Sequence, residues 1–268
     1  MKYGILGLIA ATLWYGAFTP HPAHRRAVRA AASQQDERWS WNGRIAAGKT
    51  LEVRGVNGEI TADAASGEAA SVTAEKHGRR DDPKDVRIEV VEHEGNVTIC
   101  AVYPGRNNHC ESGGGEMRVH DNDVQVDFTV HVPRGVVFEG VTVNGEVAAS
   151  NLTGPARLHT VNGSVRLETS GGEASAETVN GSVNATIGAG GTSALRFRTV
   201  NGGITLSLPA TLNADFDART VNGSIESDFP ITVSGRMNPR ELHGQIGQGG
   251  RTLDMQTVNG SIRLRRVP

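Results

Sequence analysis

The sequence predicts an all-β protein built as a solenoid, and three observations predict it. The tripeptide Val-Asn-Gly occurs seven times, as Asn57-Gly58, Asn144-Gly145, Asn162-Gly163, Asn180-Gly181, Asn201-Gly202, Asn222-Gly223 and Asn259-Gly260, each preceded by valine. Spacings in the central run are 18, 18, 21 and 21 residues, the period of a coil that cannot bury its apolar side alone and must stack on its neighbours. Composition agrees, with 34 glycines in 268 residues, 4% aromatics, and no stretch showing the apolar period of a helix. Hydrophobic residues at 37% are too many for a disordered chain.

The repeat extends beyond the tripeptide. Thr-Val-Asn-Gly, a small or acidic residue, then Ile or Val runs over Thr142–Val147, Thr160–Val165, Thr178–Val183, Thr199–Ile204, Thr220–Ile225 and Thr257–Ile262. Within one unit Ser164–Thr169 alternates apolar and polar as a half-buried strand does, Ser170-Gly171-Gly172 turns, and Glu173–Thr178 alternates again into the next unit. Each coil therefore holds two strands and two turns. Asn and Gly both tolerate positive φ, which is the expectation at each corner and would also suit a string of type I′ hairpins. Stacked coils are preferred, because stacking puts identical residues in contact and rewards identity at every position. Between Asn222 and Asn259 a worn copy, Leu242-His243-Gly244-Gln245-Ile246, gives steps of 21 and 16, so the period is expected to continue to the end. The charged strand Ile262–Arg266 is expected to cap the last coil.

Before Asn144 the pattern loosens. Strands are expected at Thr50–Val53, Ala70–Lys76, Val86–Glu92, Val97–Val102 and Val124–Val132, the last ended by Pro133. Among them lie a charged turn, Gly78–Asp85, the glycine run Gly113–Gly115, and the only two cysteines, Cys100 and Cys110. In an oxidising compartment that pair reads as a disulfide closing a surface loop. The alternative, a metal site with His109 and His120, matches none of the paired-cysteine zinc spacings.

Lys2 precedes an apolar run from Gly4 to Phe18, followed by Thr19-Pro20 and His24-Arg25-Arg26. Residues 1–32 read as a signal peptide, or as a membrane anchor through residues 4–18 with its linker. The body, residues 33–268, is then exported to the periplasm or cell surface, free or held at the inner membrane. It divides into a less regular front half with the cysteine loop (33–140) and regular repeats (141–268).

At this point the residues resemble a known family, the bacterial DUF4097 adhesin-like β-strand-repeat proteins. The resemblance rests on Gly48–Ile60, on Val130-His131-Val132-Pro133-Arg134-Gly135-Val136, and above all on the Thr-Val-Asn-Gly-Ser-Ile units, and it covers Trp39 to Leu264. It implies a right-handed, β-helix-like body outside the cytoplasm with a role in adhesion or envelope sensing, and it brings no catalytic residues.

Chemistry in the sequence is sparse. No glycine run continues into the Lys-Ser/Thr of a phosphate loop, and no serine sits in a Gly-x-Ser-x-Gly elbow. Ser164, Ser182, Ser224 and Ser261 read as small polar residues after a turn, and Glu92-His93-Glu94 and His120-Asp121-Asn122-Asp123 as solvated turns. Trp39, Trp41 and Tyr103 are too few for the aromatic platforms of a polysaccharide-cleaving β-helix, and Arg196, Arg198 and Arg219 read as outward residues of alternating strands. A formal charge of -2 argues against a nucleic-acid partner. The expectation is a non-catalytic envelope protein without metal or cofactor, binding an envelope protein or a surface glycan. An envelope-stress sensory subunit is the alternative, and a glycan-binding or carbohydrate-active β-helix stands behind it.

Overall fold

Alternating apolar residues form the strands of two large sheets in the computed structural model, which describes residues 35–115, 117–233 and 238–267. The expected targeting segment, residues 1–32, lies outside them. The front part contributes β1 (Gln35–Arg44), β2 (Thr50–Arg54), β3 (Ile60–Ala64), β4 (Ala69–Gly78), β5 (Arg87–His93), β6 (Asn96–Val102) and β7 (Gln125–Val132). The repeats contribute β8 (Val137–Val141), β9 (Val147–Leu152), β10 (Ala156–His159), β11 (Val165–Thr169), β12 (Ala174–Asn180), β13 (Val183–Ile187), β14 (Leu195–Asn201) and β15 (Ile204–Pro209). The rest are β16 (Ala214–Asn222), β17 (Ile225–Ser227), β18 (Ile231–Val233), β19 (Glu241–Ile246), β20 (Arg251–Asn259) and β21 (Ile262–Val267).

Sheet A runs β1-β4-β7-β3-β9-β11-β13-β15-β21-β17, and sheet B runs β18-β19-β16-β20-β14-β12-β10-β8-β2-β6-β5. Each coil places one strand in sheet B, turns at Thr-Val-Asn-Gly, and places the next strand in sheet A. Neighbouring coils pair in parallel with like on like, for example Val165 with Val183 and Val183 with Ile204. This is the solenoid the repeat predicts, in place of antiparallel hairpins.

The inward residues of both sheets form one core. Its columns alternate bulk: Phe197 neighbours Ala176, Ala176 neighbours Leu158, and Leu158 faces Gly140, whose hydrogen leaves room for the Phe138 ring. Phe138, Leu158, Ala176 and Phe197 are all buried. Such large-against-small packing keeps two closely spaced sheets filled without overlap.

Two expectations about order are corrected. The worn copy is not a coil: Glu241–Ile246 is β19, which runs antiparallel to β16 and to β18. Nor is Ile262–Arg266 the last coil, since β20 inserts between β14 and β16, and β21 between β15 and β17. In space the asparagines follow the order 57, 144, 162, 180, 201, 259, 222. Because every unit carries the same corner, any unit satisfies the stacking contacts of any other, and motif identity fixes register but not sequence of stacking. The front insertion behaves alike: β2 and β3 stack directly on β8 and β9, while residues between them supply β4–β7 beyond that first coil. Antiparallel pairs β1–β4, β4–β7 and β5–β6 finish that end.

Candidate functional site

The corner of each coil is a set of saturated contacts. Asn144 donates its side-chain amide to the Oδ1 of Asn57 at 2.8 Å, and the relay continues through Asn162, Asn180, Asn201, Asn259 and Asn222 at 2.7–2.8 Å. In the six coils after that of Asn57, which has Gly55 instead, the corner threonine is buried and donates its hydroxyl to the glycine carbonyl of the coil before it, as Thr160 to Gly145 (2.9 Å), Thr178 to Gly163 (2.8 Å) and Thr257 to Gly202 (2.9 Å). The valine before each asparagine is exposed at Val143, Val200, Val221 and Val258, most of all at Val221, and half-buried at Val56, Val161 and Val179.

The corner glycines correct the positive-φ expectation. Gly58 alone among the seven has one, at 125°, and none of the seven asparagines does. What requires glycine is proximity: a Cβ on Gly163, Gly181 or Gly202 would lie 2.0 Å from the carbonyl oxygen of the glycine one coil below. Any side chain there would force the coils apart.

Cys100 and Cys110 are joined in a disulfide, with Cα atoms 5.8 Å apart. Every residue of β6 from Val97 to Val102 is buried. Its inner face enters the core, and on its outer face Cys100 and Val102 pack with Cys110 and Met117 of the following loop. Asn108 holds that loop in shape, donating to the carbonyls of Tyr103 (3.0 Å) and Arg118 (2.8 Å) and accepting from the Arg118 N–H (2.8 Å). The buried Tyr103 hydroxyl lies 2.9 Å from the Val124 carbonyl and 3.3 Å from that of Asn57, and burial pushes it far above the usual phenol range. Under the loop lies Glu52, 3% exposed, accepting from the Thr98 hydroxyl (2.9 Å), the Gly113 N–H (3.2 Å) and Arg54.

Beyond the loop the outer face of sheet B is open and charged. Glu139, Arg157, Ser175, Arg196, Asp254 and Asp217 form one row across the strands, and Arg54, Val141, His159, Glu177, Arg198, Gln256 and Arg219 a second. Most of the charges pair within the face. Arg198 reaches Asp254 at 3.2 Å and Glu177 at 3.8 Å, and Arg219 holds Asp217 at 3.1 Å and Glu241 at 3.3 Å. His243 on β19 lies 3.0 Å from Asp217 and 3.1 Å from Glu241. Next to the loop the face dips into a groove lined by Arg54, Glu139, Val141, Arg157, His159 and Glu177. There partial burial, together with the charge of Glu52, raises the Glu139 carboxyl above its ordinary value.

The sequence reading found the corners and the cysteines but not this groove. Its signal is present in the repeat, because the outward positions stand three and one residues before each corner threonine: Glu139 and Val141 before Thr142, Arg157 and His159 before Thr160, Ser175 and Glu177 before Thr178. The clusters expected to be turns are so only in part: Glu92 and His93 end β5 and only Glu94 lies in the turn, while His120–Asp123 is irregular with a bend at Asp121. Glu94, with φ 51°, closes the β5–β6 hairpin, and Asp121, with φ 45°, precedes β7. Among the described residues no group of three or more His, Cys, Asp or Glu side chains is placed to hold a metal ion.

Solved structures resemble this chain at low identity. A candidate cell adhesion protein from Clostridium sporogenes aligns at 12% identity over 87% of this chain and 100% of its own, with a TM-score of 0.46. A candidate adhesin from Bacteroides fragilis aligns at 10% over 86% and 97%, TM-score 0.29, and a candidate lipid binding protein from Parabacteroides distasonis at 10% over 86% and 97%, TM-score 0.28. No curated protein matches the sequence. The family model for Toastrack DUF4097 matches residues 81–265, from the turn before β5 to the last strand, and the chain belongs to that family.

Proposed function

We propose that this chain is a non-catalytic, exported cell-envelope protein, adhesin-like in type, that binds an envelope protein or a surface glycan through the outer face of sheet B. Residues 1–32 serve as signal peptide or anchor, and Ser33–Pro268, one compact unit, is the binding body. The observation that carries the reading is the row structure of that face. Stacked coils repeat outward side chains every ~4.8 Å on a scaffold whose corners are hydrogen-bonded throughout, so a partner meets charges already fixed in position. The groove beside the cysteine loop is where the face is concave and where Glu139 lies within the fields of Arg157 and Arg54.

The test is a pull-down with the body, residues 33–268, against envelope fractions, purified peptidoglycan and a glycan panel, run beside the double variant Arg157→Glu, Glu177→Lys. Saturable binding that the variant loses supports the reading. Binding retained by the variant places the partner on another surface, and no binding in any arm removes the adhesin-like function.

A further inference from the structure

The two ends of the stack differ. At the front, the coil of Asn57 is covered: the Val126 N–H donates to the Asn57 carbonyl and the Phe128 N–H to that of Glu59, both at 2.8 Å, and β4 and β1 follow. At the other end sheet B does not stop at a coil strand: β19 lies antiparallel along β16, and β18 antiparallel along β19. Sheet A stops at β17, and among the described residues no strand pairs with its far side.

The inner coils show what this last edge is shaped to receive. In each, the glycine N–H donates to the asparagine carbonyl of the next coil, as Gly163 to Asn180 and Gly181 to Asn201 at 3.0 Å, and the glycine carbonyl accepts the next threonine hydroxyl. The equivalent groups of Gly223 point out of the end of the stack. Asn222 donates to Asn259 at 2.8 Å, which leaves its Oδ1 turned outward for another amide. Val221 is 56% exposed, the most exposed large hydrophobic among the described residues. Ile225 is only half-buried, whereas Val147, Val165, Val183, Ile204 and Ile262 at the same position of other coils are 0% exposed.

Exposed edges are usually guarded by charge. Here Glu226 and Asp228 are turned inward onto β21, to Arg263 at 3.3 Å and Arg265 at 3.4 Å. The guard is spent on the neighbouring strand, and the edge is left open.

We propose that Asn222–Ser227 is a docking edge for an extended segment of a partner polypeptide that adds as a further parallel strand and carries the pattern Asn-Gly followed, two residues on, by Ile or Val. Each requirement copies an inner coil. The amide meets Asn222 Oδ1, glycine avoids the 2 Å overlap that a Cβ would make with the Gly223 carbonyl, and the apolar residue covers Ile225; threonine is not required, because the Thr220 N–H already donates to the Arg240 carbonyl at 2.8 Å and β19 fills the place an inner coil gives its threonine.

The probe is a fluorescent peptide, Val-Asn-Gly-Ser-Ile-Arg-Leu, added to the full chain and read by anisotropy. Saturable binding is expected, weakened at least tenfold when the peptide asparagine becomes aspartate or its glycine becomes alanine. Hydrogen exchange is expected to show new protection at Gly223 and Ile225. In the chain variant Ile225→Pro, which removes an outward N–H while sparing the bonds to β21, binding is lost with the melting temperature kept. Should that variant fail to fold, the exchange map decides by itself. No saturable binding, equal binding of a scrambled peptide, or protection at β1 or β5 overturns the proposal. So does self-association of the chain through this edge that excludes the peptide. The outcome is separable from the binding-face reading, because Arg157 and Glu177 lie on sheet B, away from β17.

Discussion

Gly181 tests whether the corners are held by proximity. A Cβ there would sit 2.0 Å from the Gly163 carbonyl oxygen and 2.5 Å from its carbon. Non-bonded carbon contacts normally begin near ~3.5 Å, so the two coils must part locally by more than about 1 Å. Three bonds stretch in consequence: Gly163 N–H to the Asn180 carbonyl (3.0 Å), the Thr178 hydroxyl to the Gly163 carbonyl (2.8 Å), and Asn180 to Asn162 (2.8 Å). With about 1 kcal/mol net for each bond, and overpacking relieved only by losing them, Gly181→Ala is expected to cost about 3 kcal/mol. Denaturant unfolding measures this directly, and the melting temperature should fall by roughly 6–12 °C. Gly181→Asn should be at least as damaging, although asparagine tolerates positive φ. Gly67→Ala is the control, since its Cβ would meet nothing within 4 Å and its φ is not left-handed; it should be neutral or stabilising by about 0.5 kcal/mol. If Gly181→Ala unfolds within about 0.5 kcal/mol of the parent, or if asparagine is tolerated where alanine is not, the proximity argument is wrong.

Three further outcomes follow from the geometry. Thr178→Val keeps the volume but strands the Gly163 carbonyl, and should cost about 1–2 kcal/mol in denaturant unfolding, while Thr178→Ser should recover most of it. Cys110→Ser should lower stability by about 2–3 kcal/mol and open the exposed Arg106 to trypsin, with hydrogen-exchange protection in β10–β15 unchanged; equal proteolysis of parent and variant would deny the disulfide its hold on the loop. The Asp123 carboxylate is held down to about 2, chiefly by the Asp81 N–H and further by the N–H and guanidinium of Arg80. A depressed carboxylate stabilises the folded state above the ordinary value near ~3.9 and loses that contribution as the pH falls toward 2. The amides of Arg80 and Asp81, followed by NMR, should therefore keep their shifts down to about pH 3 and move below it; movement centred near pH 4 would refute the assignment.

The repeat was legible because stacking is a demand on identity. Once Thr, Val, Asn and Gly recur together, parallel strands in register and an asparagine relay follow, and the same repeat held the outward rows of sheet B, legible to anyone who counts back from each threonine. The conformation of the corner was not legible in this way. Asn-Gly suits a positive-φ turn and a close parallel approach equally well, and only the position of the neighbouring carbonyl, 2.0 Å from an added Cβ, distinguishes them.

The sequence by itself determined the class of fold, the length of a coil, the residues of each corner and the pairing of its two cysteines. Only the tertiary structure decided which coil lies on which, placing the coil of Asn259 between those of Asn201 and Asn222 and that of Asn57 against Asn144. The physical reason is degeneracy. Seven nearly identical corners offer one another the same hydrogen bonds, so local chemistry cannot rank their order. The ranking falls to parts that do not repeat: β19, antiparallel on the outer edge of β16 with β18 beyond it, and the front insertion, with its buried Tyr103, that seals the other end.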